Sequence, residues 1–453
     1  MNRMTFPTFW RKSASSEQVQ AEERPKTTVT NNLILHLHPH ALPADALKFW
    51  YTWGLGGISA VLAVLIGLTG ILLMFRYDPR VDFAYISIQE LETQIVFGSL
   101  VRGIHHWSAN LLVVTSFLHL LRVFFTGGFK QGRTLNWIVG VVLFLLALVG
   151  NFTGYLLPWD QLAYWAITVS TNLMSYIPLI GSGLRTFLLG GPTVGQVAIN
   201  NFYALHVVIL PVIAVSLLAY HFWKVRKNGG ISQPKPEPGQ HPQRVMTIPH
   251  LVNVELAAAL GTITFVILFA MLKPAELGPI ANPFHSPNPA KAAWYFMGLQ
   301  ELLLHMHPLA AEALIGAVFA ALVAIPYLDK KDDDIGIYFR SAVGKRAALW
   351  GALIGANLTP IMVILDQYWL DLPTWLPSWP TWLTIGVIPL VATLAVFAGL
   401  YIGFRRTKIV ADMKANHSEA VLGVFTFAAT ALVMLTIIGV YFRGPNMALV
   451  LPF

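Results

Sequence analysis

Cysteine is absent from all 453 residues, so the chain can form no disulfide, no thiolate-bound zinc or iron–sulfur cluster and no thioether-linked haem. Any metal must be held by histidine or carboxylate. Charge is scarce too. Asp, Glu, Lys and Arg make up 11% of the residues, less than half of the roughly 25% found in soluble globular domains, which excludes an ordinary water-soluble enzyme. Also lacking, in the first 35 or so residues, is an apolar run suited to the core of a signal peptide. Glu22, Glu23, Arg24 and Lys26 stand there among Ser, Thr and Asn, and residues 1–44 are expected to form an uncleaved polar tail. What fills the chain instead is apolar: 55% hydrophobic residues, 12% aromatic, and a mean hydropathy of +0.60.

That apolar content is concentrated in runs near residues 50–75, 104–126, 136–158, 199–223, 251–272, 312–328, 346–366, 381–404 and 420–442. Each is close to the roughly 20 residues that span a bilayer as a helix. The predicted fold is therefore all-α: a polytopic transmembrane protein with about nine spans. The formal charge of +8 does not point to nucleic acid, because most of the Lys and Arg fall in loops on one side. The positive-inside rule makes that side cytoplasmic, with the N-terminus on it. Residues 228–250, rich in Pro, Gly and charge, read as a cytoplasmic linker after a four-helix unit over 45–227. A second helical unit covers 251–330, and further spans cover 331–453. The run DKKDDD (329–334) reads as a solvated stretch. The far-side loops 159–198 and 273–311 are too long for turns and are expected to carry short surface helices.

Four histidines, His105, His119, His206 and His221, lie inside apolar runs, where an imidazole is costly without a partner. One such residue alone is most simply a packing residue. Four in register are not. His105 and His119 are 14 residues apart on the second span, and His206 and His221 are 15 apart on the fourth, so each pair is separated by roughly 21–23 Å along its helix. Both spans run inward, which sets His105 level with His206 and His119 level with His221. Two clamps of neutral imidazoles suit two six-coordinate, low-spin haem irons. Gly56 and Gly70 on the first span, and Gly140 and Gly154 on the third, repeat the spacing of 14 and would clear side chains from a flat macrocycle. Arg102 and Arg122 sit about one turn beyond the two levels, where propionates would project.

The stretches RGIHHWSANLLVVTSFLHLLRVFFTGGFK (102–130), GNFTGYLLPWDQLAYWA (150–166) and FYALHVVILPVIAVSLLAYHFWKVRK (202–227) resemble cytochrome b, and more closely its b6 branch, which shares the 15-residue spacing of the second pair. The resemblance covers roughly 45–330, with the part after the linker similar to a fused subunit IV. It implies two b-type haems, one on His105 and His206 at the outer level and one on His119 and His221 at the inner. It implies a quinol/quinone substrate, with Trp294 and Tyr295 on one wall of the oxidation pocket and Gly154, Tyr155, Pro158, Trp159 and Asp160 on the other. It further implies that Arg226, flanked by Lys224 and Lys227, serves a quinone-reduction site. Two positions depart from the pattern. Gly54 stands where the b6 branch attaches a further haem through cysteine, so no covalent c-type haem is expected. Ala292-Ala293-Trp294-Tyr295 stands where the family has Pro-Glu-Trp-Tyr, so its proton-accepting carboxylate is missing.

Glu301 is the first replacement expected, followed by His305 and His307, with Glu312 nearby. The implied activity is that of the cytochrome b subunit of a quinol:cytochrome c oxidoreductase in the bacterial cytoplasmic membrane. Its partners would be a Rieske iron–sulfur protein and a c-type cytochrome, in a homodimeric complex coupled to proton translocation. A dihaem quinone-reactive anchor for a dehydrogenase is the main rival, although it would need fewer spans. A transporter with histidines in a proton path is the other.

Overall fold

The computed structural model describes residues 35, 37–236, 239, 242–330 and 334–451. Most of the expected polar tail, residues 1–34, and residues 331–333 of the charge run lie outside the described residues. Among those described, nine helices are long and apolar enough to cross a membrane. In lipid a helix satisfies its backbone polar groups internally, so these apolar runs have almost no alternative conformation.

The first four spans are α1 (Leu55–Met74), α3 (Gly98–Phe125), α4 (Thr134–Tyr155) and α7 (Gln196–Lys227). The short helices α2 (Val81–Thr93), α5 (Gln161–Met174) and α6 (Gly181–Leu189) lie in the connections. α5 and α6 occupy the loop where surface helices were expected. α2 was not anticipated, because its sequence VDFAYISIQELET alternates too many polar residues to register as a span. Neighbours α1 with α3, α3 with α4, and α4 with α7 pack in sequence around a central space. One end of the bundle carries the 156–195 loop and is called here the loop face. The opposite end, the linker face, holds β1 (Ala41–Pro43) paired antiparallel with β2 (Arg244–Met246), Ala41 opposite Met246. This ribbon fixes the chain before α1 to the end of the linker.

The remaining elements are α8 (Thr247–Leu272), the short α9 (Met297–His305), α10 (Pro308–Leu328), α11 (Ala342–Tyr368), α12 (Trp382–Arg406) and α13 (His417–Tyr441). α8 packs on both α1 and α3, so the linker divides the chain but not the core. A Cβ on Gly103 of α3 would stand 3.2 Å from the Ala270 methyl of α8. α10 docks on α4 through the Trp137 indole, which donates to the Leu322 carbonyl at 2.7 Å. α11 and α13 approach so closely that a Cβ on Gly351 would lie 2.2 Å from the Gly423 carbonyl oxygen; only glycine permits that backbone contact.

On the linker face a buried ion cluster joins the two parts of the chain. Lys130 lies 3.0 Å from Asp329 and 2.9 Å from Asp334, and Asp329 also pairs with Arg340 and accepts from Ser418. The Arg340 guanidinium sits over the Phe124 and Phe129 rings at 5.5 and 5.4 Å. Asp329 therefore belongs to a buried junction, not to the solvated run expected of it.

Candidate functional site

A cavity of about 1980 Å³ runs through the first bundle and is lined by His105, His119, His206 and His221 together with Gly56, Gly70, Gly140 and Gly154. That is about twice the upper end of the usual 300–1,000 Å³ for a small-molecule pocket. Each ring is backed by one glycine. A Cβ on Gly70 would stand 3.2 Å from His105, on Gly154 2.5 Å from His206, on Gly56 3.1 Å from His119 and on Gly140 3.6 Å from His221. The glycine spacing matches the histidine spacing because the glycines receive the rings, a use more specific than the clearance expected from sequence.

The His105 and His206 ring centroids are 6.2 Å apart. Two imidazole nitrogens each about 2 Å from a shared metal ion, with the ring radii added, need about that separation. Thr69 Oγ1 lies 3.1 Å from His105 Nδ1, and Thr153 Oγ1 lies 3.2 Å from His206 Nδ1. Engaging Nδ1 orients each ring and leaves Nε2 as the ligating atom. Neither threonine was anticipated, although a readable signal existed: both glycines on this level are preceded by threonine, in LTG (68–70) and FTG (152–154). His206 lies in a π-helical turn, Leu205–Ile209. Pro211 just beyond lacks the N–H that a regular α-turn would use there, and such turns often sit at functional positions.

The two expected propionate partners differ. Arg122 lines the cavity, donates from Nε to the Tyr51 carbonyl at 3.3 Å, and keeps Nη2 buried without a protein partner. A buried unpaired guanidinium nitrogen is costly, and a haem carboxylate would satisfy it. Arg102 is already engaged, by Glu92 and by the Ala275 and Glu276 carbonyls at 2.9 and 3.0 Å, so it serves to hold the loop after α8. Arg226 lines a separate small recess with His38 and His40. The cation that reaches the cavity near Arg122 is Arg133, which donates to the Gly230 and Asn228 carbonyls at 2.7 and 2.8 Å. It had passed in the sequence as one more topology-setting charge.

At the loop face Tyr155, Pro158, Asp160, Ala292, Ala293, Trp294 and Tyr295 line the cavity. The Trp294 indole donates to Asn110 Oδ1 of α3 at 2.6 Å, while Gln300 staples the preceding loop through Ala290 and Ala292, both at 2.6 Å. Burial, then Tyr155 beside it, pushes the Tyr295 phenol far above its usual range, so it stays protonated. Trp159, Glu301, His305, His307 and Glu312, all expected at this site, are not part of the cavity lining. Trp159 is buried in an apolar cluster with Tyr164, Ile167 and Phe202. Glu301 is fully buried against Arg443, whose Nη2 and Nε lie 2.5 and 3.0 Å from its oxygens. His305 bridges Glu301 at 3.2 Å and Asp366 at 2.6 Å. These two are tied into the packing of α9 against α11 and α13, and a loop position eight residues from Ala293 did not reveal that. Gly54 lines the cavity with a positive φ of 63°, which suits glycine.

The Cytochrome b/b6/petB family matches residues 42–229. The cytochrome b6 of Heliobacterium modesticaldum is 41% identical over 195 residues, 43% of this chain and 90% of the relative. The cytochrome b6 of Acaryochloris marina is 43% identical over 175 residues, 39% and 81% of the two chains. A chain of a hyperthermophilic respiratory Complex III superposes with a TM-score of 0.59 at 22% identity, covering 86% of this chain and 91% of that one. At that identity the likeness is one of fold, and it extends past the linker into the second helical unit.

Proposed function

Because this chain belongs to the cytochrome b/b6 family, and is thereby an integral membrane subunit of an electron-transport complex, we propose that it is the dihaem, quinol-oxidising cytochrome b of a bacterial cytochrome bc-type complex. The observation that carries this reading is the placement of four histidines along one cavity, each ring seated on a glycine, with the His105 and His206 rings 6.2 Å apart. His105 with His206, and His119 with His221, would hold one b-type haem each. When bound, the haems would supply one-electron carriers for one electron of each quinol, while the other would leave to a Rieske iron–sulfur protein and a c-type cytochrome of the complex.

The chain's own residues do the rest. Thr69 and Thr153 orient the His105 and His206 rings, and the unpaired Nη2 of Arg122 would hold a haem carboxylate. Trp294, fixed on Asn110, forms with Tyr295, Tyr155 and Pro158 the apolar wall against which a quinol ring packs. Arg133 replaces Arg226 as the cation on the linker-face side of the cavity. The reading makes the complex a homodimer coupled to proton translocation. The complex isolated through a tag on this chain is expected to reduce cytochrome c with quinol, and Trp294→Leu is expected to slow it at least tenfold with both haems retained. A haem-loaded complex without quinol oxidation would refute the reading.

A further inference from the structure

Oxidation of a quinol releases protons, so its site needs a group that takes a proton from a ring hydroxyl. Resting on the reading above, we propose that Glu276 is that group. Three carboxylates line the cavity among the described residues, Asp160, Glu255 and Glu276. Glu255 lies in the first turns of α8 at the linker face, 3.1 Å from His38. Asp160 is at the loop face but committed: Oδ1 accepts from the Ala163 amide at 2.9 Å and Oδ2 from the Gly278 amide at 3.1 Å. The Tyr295 phenol holds its proton. Glu276 alone combines a loop-face position, an exposed side chain and a carboxylate with no hydrogen bond among the described residues.

Its placement is built, not incidental. Arg102, His106 and Asn110 follow one another at four-residue spacing on one face of α3. Arg102, held by Glu92, grips the carbonyls of Ala275 and Glu276. Asn110 grips Trp294 and also donates to the His106 carbonyl at 2.8 Å. Between them His106 lines the cavity, and the Glu276 charge bears on it. Trp107 fixes the other end of the segment, donating to the Lys273 carbonyl at 2.7 Å. The charged groups around Glu276 are thus Arg102 and His106 from α3, Glu92 from α2, Lys273 on its own segment, and Asp160 across the Gly278 amide. Glu276 enters the site from the first part of the loop whose last part carries Ala292 and Ala293, and supplies there the carboxylate those alanines lack.

In the step, the quinol O–H bond breaks with its electron pair left on the ring oxygen. The proton forms a new O–H bond on a Glu276 carboxylate oxygen and passes to water at the loop face. The second ring hydroxyl gives up its proton by the same route once Glu276 has released the first, and one-electron iron centres of the complex accept the two electrons, so that quinol yields quinone, two protons and two electrons. The test uses the intact complex carrying Glu276→Gln or Glu276→Asp. The expected result for Glu276→Gln is a fall in kcat of about 100-fold with KM within about twofold, unchanged haem spectra, and loss of a carboxyl C=O band from the redox-induced infrared difference spectrum. Glu276→Asp is expected to shift that band and recover part of the rate, and it carries the test if the Gln variant fails to assemble. Undiminished kcat with the carboxyl band retained in Glu276→Gln, alongside active wild-type complex, overturns the assignment of Glu276 and leaves the quinol reading standing. Failure of the wild-type complex to oxidise quinol overturns both.

Discussion

At Gly154 a methyl group would stand 2.5 Å from Cε1 of His206, whereas at Gly140 it would stand 3.6 Å from Cε1 of His221. The first distance forces the ring to move and the second is ordinary contact. Gly154→Ala is therefore expected to cost about 1–3 kcal/mol in overpacking and to displace His206 from its level. One b-type haem should be lost or shifted in the reduced-minus-oxidised spectrum. Gly140→Ala should leave the spectrum nearly intact; equal effects at both positions would contradict the seating described here. The histidines and glycines were legible in the sequence because helix geometry turns a spacing of 14 or 15 into one face and a known rise. Arg102, Trp159 and Glu301 were not. Which partner closes over a polar or aromatic side chain depends on segments far away in sequence, such as Ala275 for Arg102 and Arg443 for Glu301.

The short helix α9 follows directly on Trp294 and Tyr295, and its attachment explains how α13 bears on the site. Arg443 pairs with Glu301 and also donates to Gln367 at 2.7 Å and to the Met447 carbonyl at 2.8 Å, while Lys291 reaches the Val440 carbonyl at 2.8 Å. Removing Arg443 alone leaves Glu301 buried and unpaired, so Arg443→Leu is expected to destabilise the region by about 3–5 kcal/mol. Arg443→Leu with Glu301→Leu together should cost far less. Thermal unfolding of the wild type and the two variants tests this, and a double variant as weak as the single would contradict it.

Burial pushes Glu301 up, but the hydrogen bonds and charges of His305 and Arg443 outweigh it and hold the carboxyl below its usual range. Burial likewise pushes His305 down, and its bonds to Asp366 and Glu301 outweigh that and raise it. The carboxylate contribution is present above about pH 4.3 and is lost as pH falls through the lowered Glu301 value. The imidazolium contribution is full below about pH 6.5 and is lost as pH rises through the raised His305 value. Amide protection in Met297–His305, with the intrinsic pH dependence of exchange divided out, should accordingly be greatest between those limits and fall as pH drops through the lowered Glu301 value or rises through the raised His305 value. A flat profile would mean the network carries no such linkage. Element positions were readable within a few residues because apolar runs in lipid allow little else. α2 escaped notice because its residues alternate between exposed and packed positions, the packed ones against α3, and so form no apolar run.

For the whole molecule, the first bundle, α8 and the loop before α9 line the main cavity, while α10 to α13, the other four of the nine long apolar helices among the described residues, hold that loop and brace the linker face. The number of long apolar helices among the described residues was legible from hydropathy. The way α8 is shared with the first core was not, since hydropathy says nothing about which apolar face meets which. The claim on which the rest depends is that this cavity holds two haems in two separate histidine pairs. A redox-titrated reduced-minus-oxidised spectrum of the purified chain, with a pyridine haemochrome count, tests it most directly. The expected result is two b-type haems per chain titrating at separate potentials, with His105→Leu abolishing one and leaving the other. Folded protein with no haem, or one in which His105→Leu removes both haems equally, would contradict it.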